Sequence, residues 1–182
     1  MPFGGHYRTH QVDASYFHTI DNEEKAYWLG FIAADGCVVV SSKGCALTVA
    51  LSVRDHEHLE KLRKSLRYDG VVHKDDRKAV LRINCKEMVG DLIALGVTPR
   101  KSLTLAPHPI RRDLQKHYWR GMVDGDGCIW PSKSLSLCGT QAVCAEFEKF
   151  CNTIVTINNR TKPFSTIYSI TITGVGRIRT IL

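Results

Sequence analysis

The chain has 182 residues, with 25 Lys and Arg against 18 Asp and Glu, a formal net charge of +7 and a pI near 9.1. Its hydrophobic fraction of 43% is that of a globular protein and sets disorder aside. The excess positive charge, spread without a long Lys/Arg block, marks a folded surface that attracts polyanions, nucleic acid before anionic membrane.

No apolar run nears the ~20 residues that span a bilayer, and the opening MPFGGHYRTH lacks the apolar core of a secretory leader. Seven cysteines, at 37, 45, 85, 128, 138, 144 and 151, are odd in number and form no CxxC pair. They argue against a disulfide framework or zinc ribbon and for reduced, mostly buried thiols in an intracellular, reducing compartment rather than a secreted protein.

In chain order, residues 1–22 read as an N-terminal extension. His6 and His10 have helical metal-ligand spacing there, but a terminal tail explains them more simply. Residues 23–98 form a first unit. It opens on a helix running to Asp35, followed by strands at Cys37–Val40 and Ala46–Val53 joined at Lys43-Gly44. Apolar Leu47, Val49, Leu51 and Val53 alternate with Thr48, Ala50 and Ser52, the pattern of a sheet with one covered and one open face. Asp55 caps a helix through Leu66, with Leu59, Leu62 and Leu66 on one side. Strands near Val71–Lys74 and Ala79–Asn84 follow, then a helix over Lys86–Leu95 closed by Gly96. A connector, 99–113, carries Pro99, Pro107 and Pro109. Residues 114–182 repeat the order, with strands at Cys128–Trp130 and Leu135–Cys138 and a helix near Ala142–Thr153. Strands around Asn159–Lys162 and Thr166–Thr173 come next, and a final helix from Val175 looks incomplete.

The repeat is visible in the residues themselves. AYWLGFIAADGC and HYWRGMVDGDGC share Tyr-Trp, a Gly two residues after the Trp, and a terminal Asp-Gly-Cys, with Asp126 lying 91 residues after Asp35. Self-similarity at that distance is duplication of a structural unit. Within each copy Gly30 and Ala34, and Gly121 and Gly125, share one helical face. Small residues at this spacing let two helices approach closely, so these four form the interface between the motif helices. Gly36 and Gly127 fit the left-handed position that ends a helix. Asp35 and Asp126 then stand at helix C-termini, where an anion opposes the helix dipole by roughly 0.3–1 kcal/mol. Two such carboxylates face to face need compensation, and divalent cations supply it. The free carbonyls of Ala34 and Gly125 are further oxygen donors, and hard oxygen ligands suit Mg²⁺.

These two segments, WLGFIAADG and WRGMVDGDG, resemble the paired motif helices of the LAGLIDADG homing endonucleases. The resemblance spans nearly all of residues 23–182. It implies an α/β (α+β) fold of two pseudo-symmetric αββαββα halves, with saddle-shaped antiparallel sheets over the DNA major groove. It also implies a monomer with no obligate protein partner, acting on double-stranded DNA. The last acid of each motif, Asp35 and Asp126, then binds metal, with Mg²⁺ or Mn²⁺ supporting staggered cleavage and Ca²⁺ binding without efficient turnover. Ala33 departs from the pattern where an acid is common; Asp124 fills that place in the second copy. The family often sets a lysine near the metals, and Lys101 in TPRKS is the match, as a third catalytic residue. An RNA-splicing maturase or an inert DNA-binding regulator on the same fold is the alternative.

Under that resemblance the open sheet faces read DNA. Thr48, Ser52 and Arg54 share a face by alternation, as do Arg82 and Asn84, while Lys43, His73 and Arg77 lie in or beside the tips. Ser134, Ser136, Arg160, Lys162, Ser169 and Thr171 are the counterparts in the second unit. Trp28 and Trp119 are expected in the core.

Overall fold

The computed structural model describes residues 10–42, 44–130, 134–151 and 167–173. Within them the chain is an α+β fold with two antiparallel sheets flanking a central pair of helices. Helix α1 (Glu23–Asp35) leads directly into strand β1 (Gly36–Ser41), which pairs with β2 (Gly44–Ser52). Helix α2 (His56–Ser65), strands β3 (His73–Lys74) and β4 (Lys78–Ile83) and helix α3 (Lys86–Ala94) complete this part, with sheet order β1-β2-β4-β3. Helix α4 (Gln115–Asp126) then enters β5 (Gly127–Trp130), followed by β6 (Ser134–Gly139), α5 (Gln141–Cys151) and β7 (Tyr168–Thr173), in the order β5-β6-β7. The strand expected at Asn159–Lys162 and the final helix from Val175 lie outside the described residues.

Local chemistry explains the element ends. Asn22 caps α1 by accepting from the Lys25 amide, and Glu23 and Glu24 place negative charge in its first turn, the favourable end for an anion. Gly96, at a φ of +91°, closes α3 in the left-handed conformation expected of it. Gly36 and Gly127 do not behave this way. Both are extended, because helix passes straight into strand without a reversing turn. They are glycines for another reason: a Cβ on either would sit 2.5 Å from the carbonyl oxygen of Ile32 or Val123. Each amide bonds to that same oxygen.

Alternation sets the sheets' two faces. In the first, the rows Gly36–Val49–Leu81 and Val38–Leu47–Ile83 point inward, where all six residues are buried. α2 buries Leu59, Leu62 and Leu66, and α3 buries Met88, Val89 and Leu92 in the same core. In the second, Leu135, Leu137, Ile170 and Ile172 meet Val143 and Phe147 of α5. Trp28 and Trp119 are both 4% exposed, each on its motif helix within the core. Among the described residues no helix is long and apolar enough to cross a membrane.

The central pair, α1 and α4, packs backbone to backbone. A Cβ on Gly30 would lie 2.0 Å from the Tyr118 carbonyl oxygen, and one on Gly121 2.1 Å from that of Tyr27. Tyr27 and Tyr118 are equivalent positions of the repeat, so the two contacts are related by a pseudo-twofold axis between the helices. Gly125 completes the seam, with the Ala34 methyl 2.5 Å from where its Cβ would stand. Gly30, Ala34, Gly121 and Gly125 all line this seam.

Gly30→Ala should therefore cost about 1–3 kcal/mol of stability by overpacking against main chain that cannot yield. Gly90→Ala in α3, whose new Cβ meets nothing within 4 Å, should instead gain about 0.5–1 kcal/mol from helix propensity. Denaturant unfolding of the two variants should separate them in opposite directions; equal midpoints would contradict the packing.

Candidate active site

The two motif helices end side by side, and this brings Asp35 and Asp126 together. Asp35 is half-buried, and its carboxylate lies against the last turn of α4, with Oδ2 3.3 Å from the place a Gly125 Cβ would take. Glycine at 125 thus makes room for the opposing acid. Burial raises the Asp35 carboxyl above the ordinary carboxylate range, and the Asp126 charge raises it further, while Lys101 and His58 pull it down. Asp126 keeps part of its surface in solvent, yet the protein around its carboxyl raises it too, against the pull of Lys101.

Lys101 opens a short 3₁₀ turn, Lys101–Leu103, and is only 8% exposed. Its Nζ donates to the Ala34 carbonyl oxygen at 2.7 Å, satisfying one of the carbonyls left free at the end of α1. Burial lowers its basicity, and Asp126 and Asp35 act in the opposite sense. The ammonium thus uses one of the two lone pairs of the Ala34 oxygen, the carbonyl expected to face a metal. The segment carrying Lys101 is stitched to the second sheet as well, through Thr140 Oγ1 donating to the Leu105 carbonyl at 2.6 Å. Between this segment, α1, α4 and the β6–α5 junction lies a cavity of about 180 Å³, lined in part by Ala33, Lys101, Asp126 and Val143.

Two carboxylates face one buried ammonium, so the centre retains negative charge. Among the described residues no three His, Cys, Asp or Glu side chains gather into a ready-made cage. That donor set fits Mg²⁺, which is commonly held by one or two carboxylates together with substrate phosphates and water.

On either side, the open sheet faces form rows. Thr48 stands between Cys37 and Arg82; Ser52 pairs with Lys78; His73 pairs with Val80 beside Ala50. Asn84 is exposed just past β4, and Arg77 lies in the exposed turn before it. In the second sheet Ser136 stands between Cys128 and Thr171, Ser134 between Trp130 and Thr173, and Cys138 pairs with Ser169. Arg54 is the exception. β2 ends at Ser52, whose hydroxyl accepts from the Arg54 amide to start a 3₁₀ turn over Val53–Asp55, so Arg54 leaves the strand's alternation. Lys43, Arg160 and Lys162 lie outside the described residues. The same rows add residues the sequence reading passed over: Lys78, Cys37, Cys128 and Trp130, the last 61% exposed. Alternation outward from Gly36 and Gly127 was the available signal. The thiols are also less buried than expected. No disulfide joins them, but Cys37, Cys128 and Cys138 are exposed, because they fall on open-face positions.

Residues 22–87 match the family model of the LAGLIDADG-like domain. This match takes in α1 through β4 of the chain. Its fold as a whole is similar to that of the I-LtrWI LAGLIDADG homing endonuclease bound to target DNA, with a TM-score of 0.59 and 11% identity over 92% of this chain and 81% of that one. I-SmaMI bound to uncleaved DNA in the presence of calcium ions gives 0.57 at 13% identity, covering 85% and 80%. I-GzeII in complex with its DNA target gives 0.58 at 10%, covering 85% and 79%. No curated protein sequence matches the chain. The matched residues include the segment that ends in Asp35, while the one that ends in Asp126 lies beyond them.

The raised carboxyls have a consequence for stability. A folded-state pKa above the unfolded value gives stability that is present at low pH and lost as pH rises through the folded value. At pH 7 the ionised pair therefore strains the metal-free fold. Asp35→Asn should melt higher than the parent in EDTA at pH 7, by about 2–4 °C per kcal/mol relieved. The difference should shrink as pH falls through the raised carboxyl range. Circular-dichroism melts across pH test this, and a lower melting point for the variant at pH 7 would contradict it.

Proposed function

We propose that this protein is a site-specific, divalent-metal-dependent double-strand DNA endonuclease that acts as a monomer on a long asymmetric site. The observation that carries the reading is the convergence of Asp35, Asp126 and the buried Lys101 ammonium where two helix ends meet between two open-faced sheets. The duplicated chain supplies both acids itself, so no second copy is needed to complete the centre. The basic net charge and the DNA-bound states named for similar folds support a duplex as the partner.

In this reading Asp35 and Asp126 hold the cations, with the Ala34 and Gly125 carbonyls as further donors. A bound divalent cation supplies Lewis-acid stabilisation of charge on the phosphate and activates water for hydrolysis. Lys101 holds the end of α1 and lends positive charge beside the scissile phosphates. Thr48, Arg82, Lys78 and Asn84 from one sheet, and Ser134, Ser136, Ser169 and Thr171 from the other, contact the duplex. Arg and Asn at such positions read guanine and adenine edges, and the remainder fix register.

Selection of cleaved sites from a randomised duplex library tests the reading. Mg²⁺ or Mn²⁺ should support double-strand cutting and Ca²⁺ should support binding alone. Asp35→Asn and Asp126→Asn should each lower the cleavage rate by at least about 10³-fold, the scale seen when a group stabilising transition-state charge is lost, with binding largely kept. Cleavage by either variant at the parent's rate in saturating Mg²⁺ would overturn the metal assignment. Affinity should fall by about 10³-fold or more between 50 and 200 mM salt if six or more phosphates are contacted. A salt-independent affinity would remove the sheets from the interface.

A further inference from the structure

The two motif helices end alike, but the chain holds their ends by different means. The last turn of α1 contains Ala33 and Ala34, good helix formers, and the Lys101 ammonium grips the Ala34 carbonyl. The last turn of α4 has Gly125 where α1 has Ala34, and glycine is the weakest ordinary helix former, by about 1 kcal/mol against alanine. This weaker turn has its own tether. Tyr27 Oη, from the first helix, donates to Asp124 Oδ2 at 2.6 Å. The hydroxyl has one hydrogen, so its 3.1 Å contact with His58 Nε2 is a bond donated by the imidazole. The result is a relay from α2 through α1 to α4: His58 Nε2–H to Tyr27 Oη–H to Asp124. One turn earlier on α4, the Arg120 guanidinium lies 5.1 Å from the centre of the Tyr27 ring, within cation–π range. Tyr27 therefore grips α4 at two points four residues apart.

The repeat shows that this tether is particular to one side. Tyr118 is the counterpart of Tyr27, and Ala33 that of Asp124. Aligning Leu59, Leu62 and Leu66 of the first unit with Cys144, Phe147 and Cys151 of the second sets Val143 opposite His58. The counterparts of both of Tyr27's hydrogen-bonding partners are thus apolar, and there the Lys101 segment does the holding instead. His58 is packed against Phe31 and Trp28, with ring centroids 4.6 Å and 5.0 Å away, so its position is set by the core. Burial lowers the basicity of this imidazole, and the relay needs only a proton on Nε2, which the neutral Nε2–H tautomer supplies.

We propose that Tyr27 and His58 are positioning residues that hold Asp126 in place through Asp124, doing for the last turn of α4 what Lys101 does for that of α1. The proposal rests on the endonuclease reading above. The tether lies two residues back from Asp126 and leaves the acid's own oxygens to the metal.

Single-turnover cleavage of the selected site by the full chain, together with DNA affinity in Ca²⁺, provides the test. Tyr27→Phe keeps the ring and removes only the hydroxyl. It should slow the cleavage step about ten- to a hundredfold, the scale of a roughly 1 Å misplacement, while leaving DNA affinity unchanged. It should also raise the Mg²⁺ concentration needed for half-maximal rate. Asp124→Ala should fall to the same level, the double variant Tyr27→Phe/Asp124→Ala should be no slower than either, and Asp124→Asn, whose amide oxygen still accepts from Tyr27, should recover most of the rate. A purely structural role would lower the melting temperature without this split between rate and affinity. If the parent cuts and Tyr27→Phe cuts equally fast at every Mg²⁺ concentration, the positioning role is refuted and the endonuclease reading stands. If the parent binds duplex DNA but never cuts it with any divalent metal, the endonuclease reading fails and the positioning role falls with it.

Discussion

The contact of α1 with α4 at Gly30 and Gly121 governs the rest of the molecule. Main chain meets main chain there, and nothing larger than hydrogen fits between. Because each helix runs directly into the first strand of its own sheet, the axis that relates the helices also relates the two sheets. The same approach sets the helix ends, and with them two acids, against each other. One constraint thus fixes the central axis, the placement of two open faces and the gathering of charge.

That gathering works against the fold. Two carboxylates at the wrong ends of two helix dipoles, partly shielded from water, are each held above their usual range. The protein offsets this only in part with a buried lysine whose own basicity is lowered by the same burial. A site left short of positive charge attracts a cation. Function and stability pull in opposite directions at this spot, as they commonly do where charge is preorganised.

Much of this was legible in the residues. The spacing of Gly30 and Ala34, repeated at Gly121 and Gly125, announced the helix pair, and the alternation of Thr48, Ala50 and Ser52 announced the open face. What escaped the sequence depended on contacts between distant segments. Lysines are ordinarily solvated, and the burial of Lys101 becomes visible only with Ala34, 67 residues away. His58 sits in a polar run, HEHLEKLRK, that looks like a solvated helix face until Trp28 and Phe31 are packed beside it. Arg54 left the strand because Ser52 turned its hydroxyl to the chain ahead, a local competition that alternation cannot register. Gly36 and Gly127 were recognised as obligatory for the wrong reason, since a helix that becomes a strand without turning needs no left-handed residue.

The long separation between the paired helices also bears on how the molecule comes to be. Gly30 meets Tyr118 only after a loop of nearly ninety residues has closed, whereas the strands and helices between them form through nearer contacts. Closure over such a distance is entropically late and belongs to the slow part of folding. During synthesis the first acid emerges well before the second, alone on a helix whose glycine face has no mate. The charged centre therefore forms only once α4 has docked on α1, and a chain interrupted before α4 has only half of it.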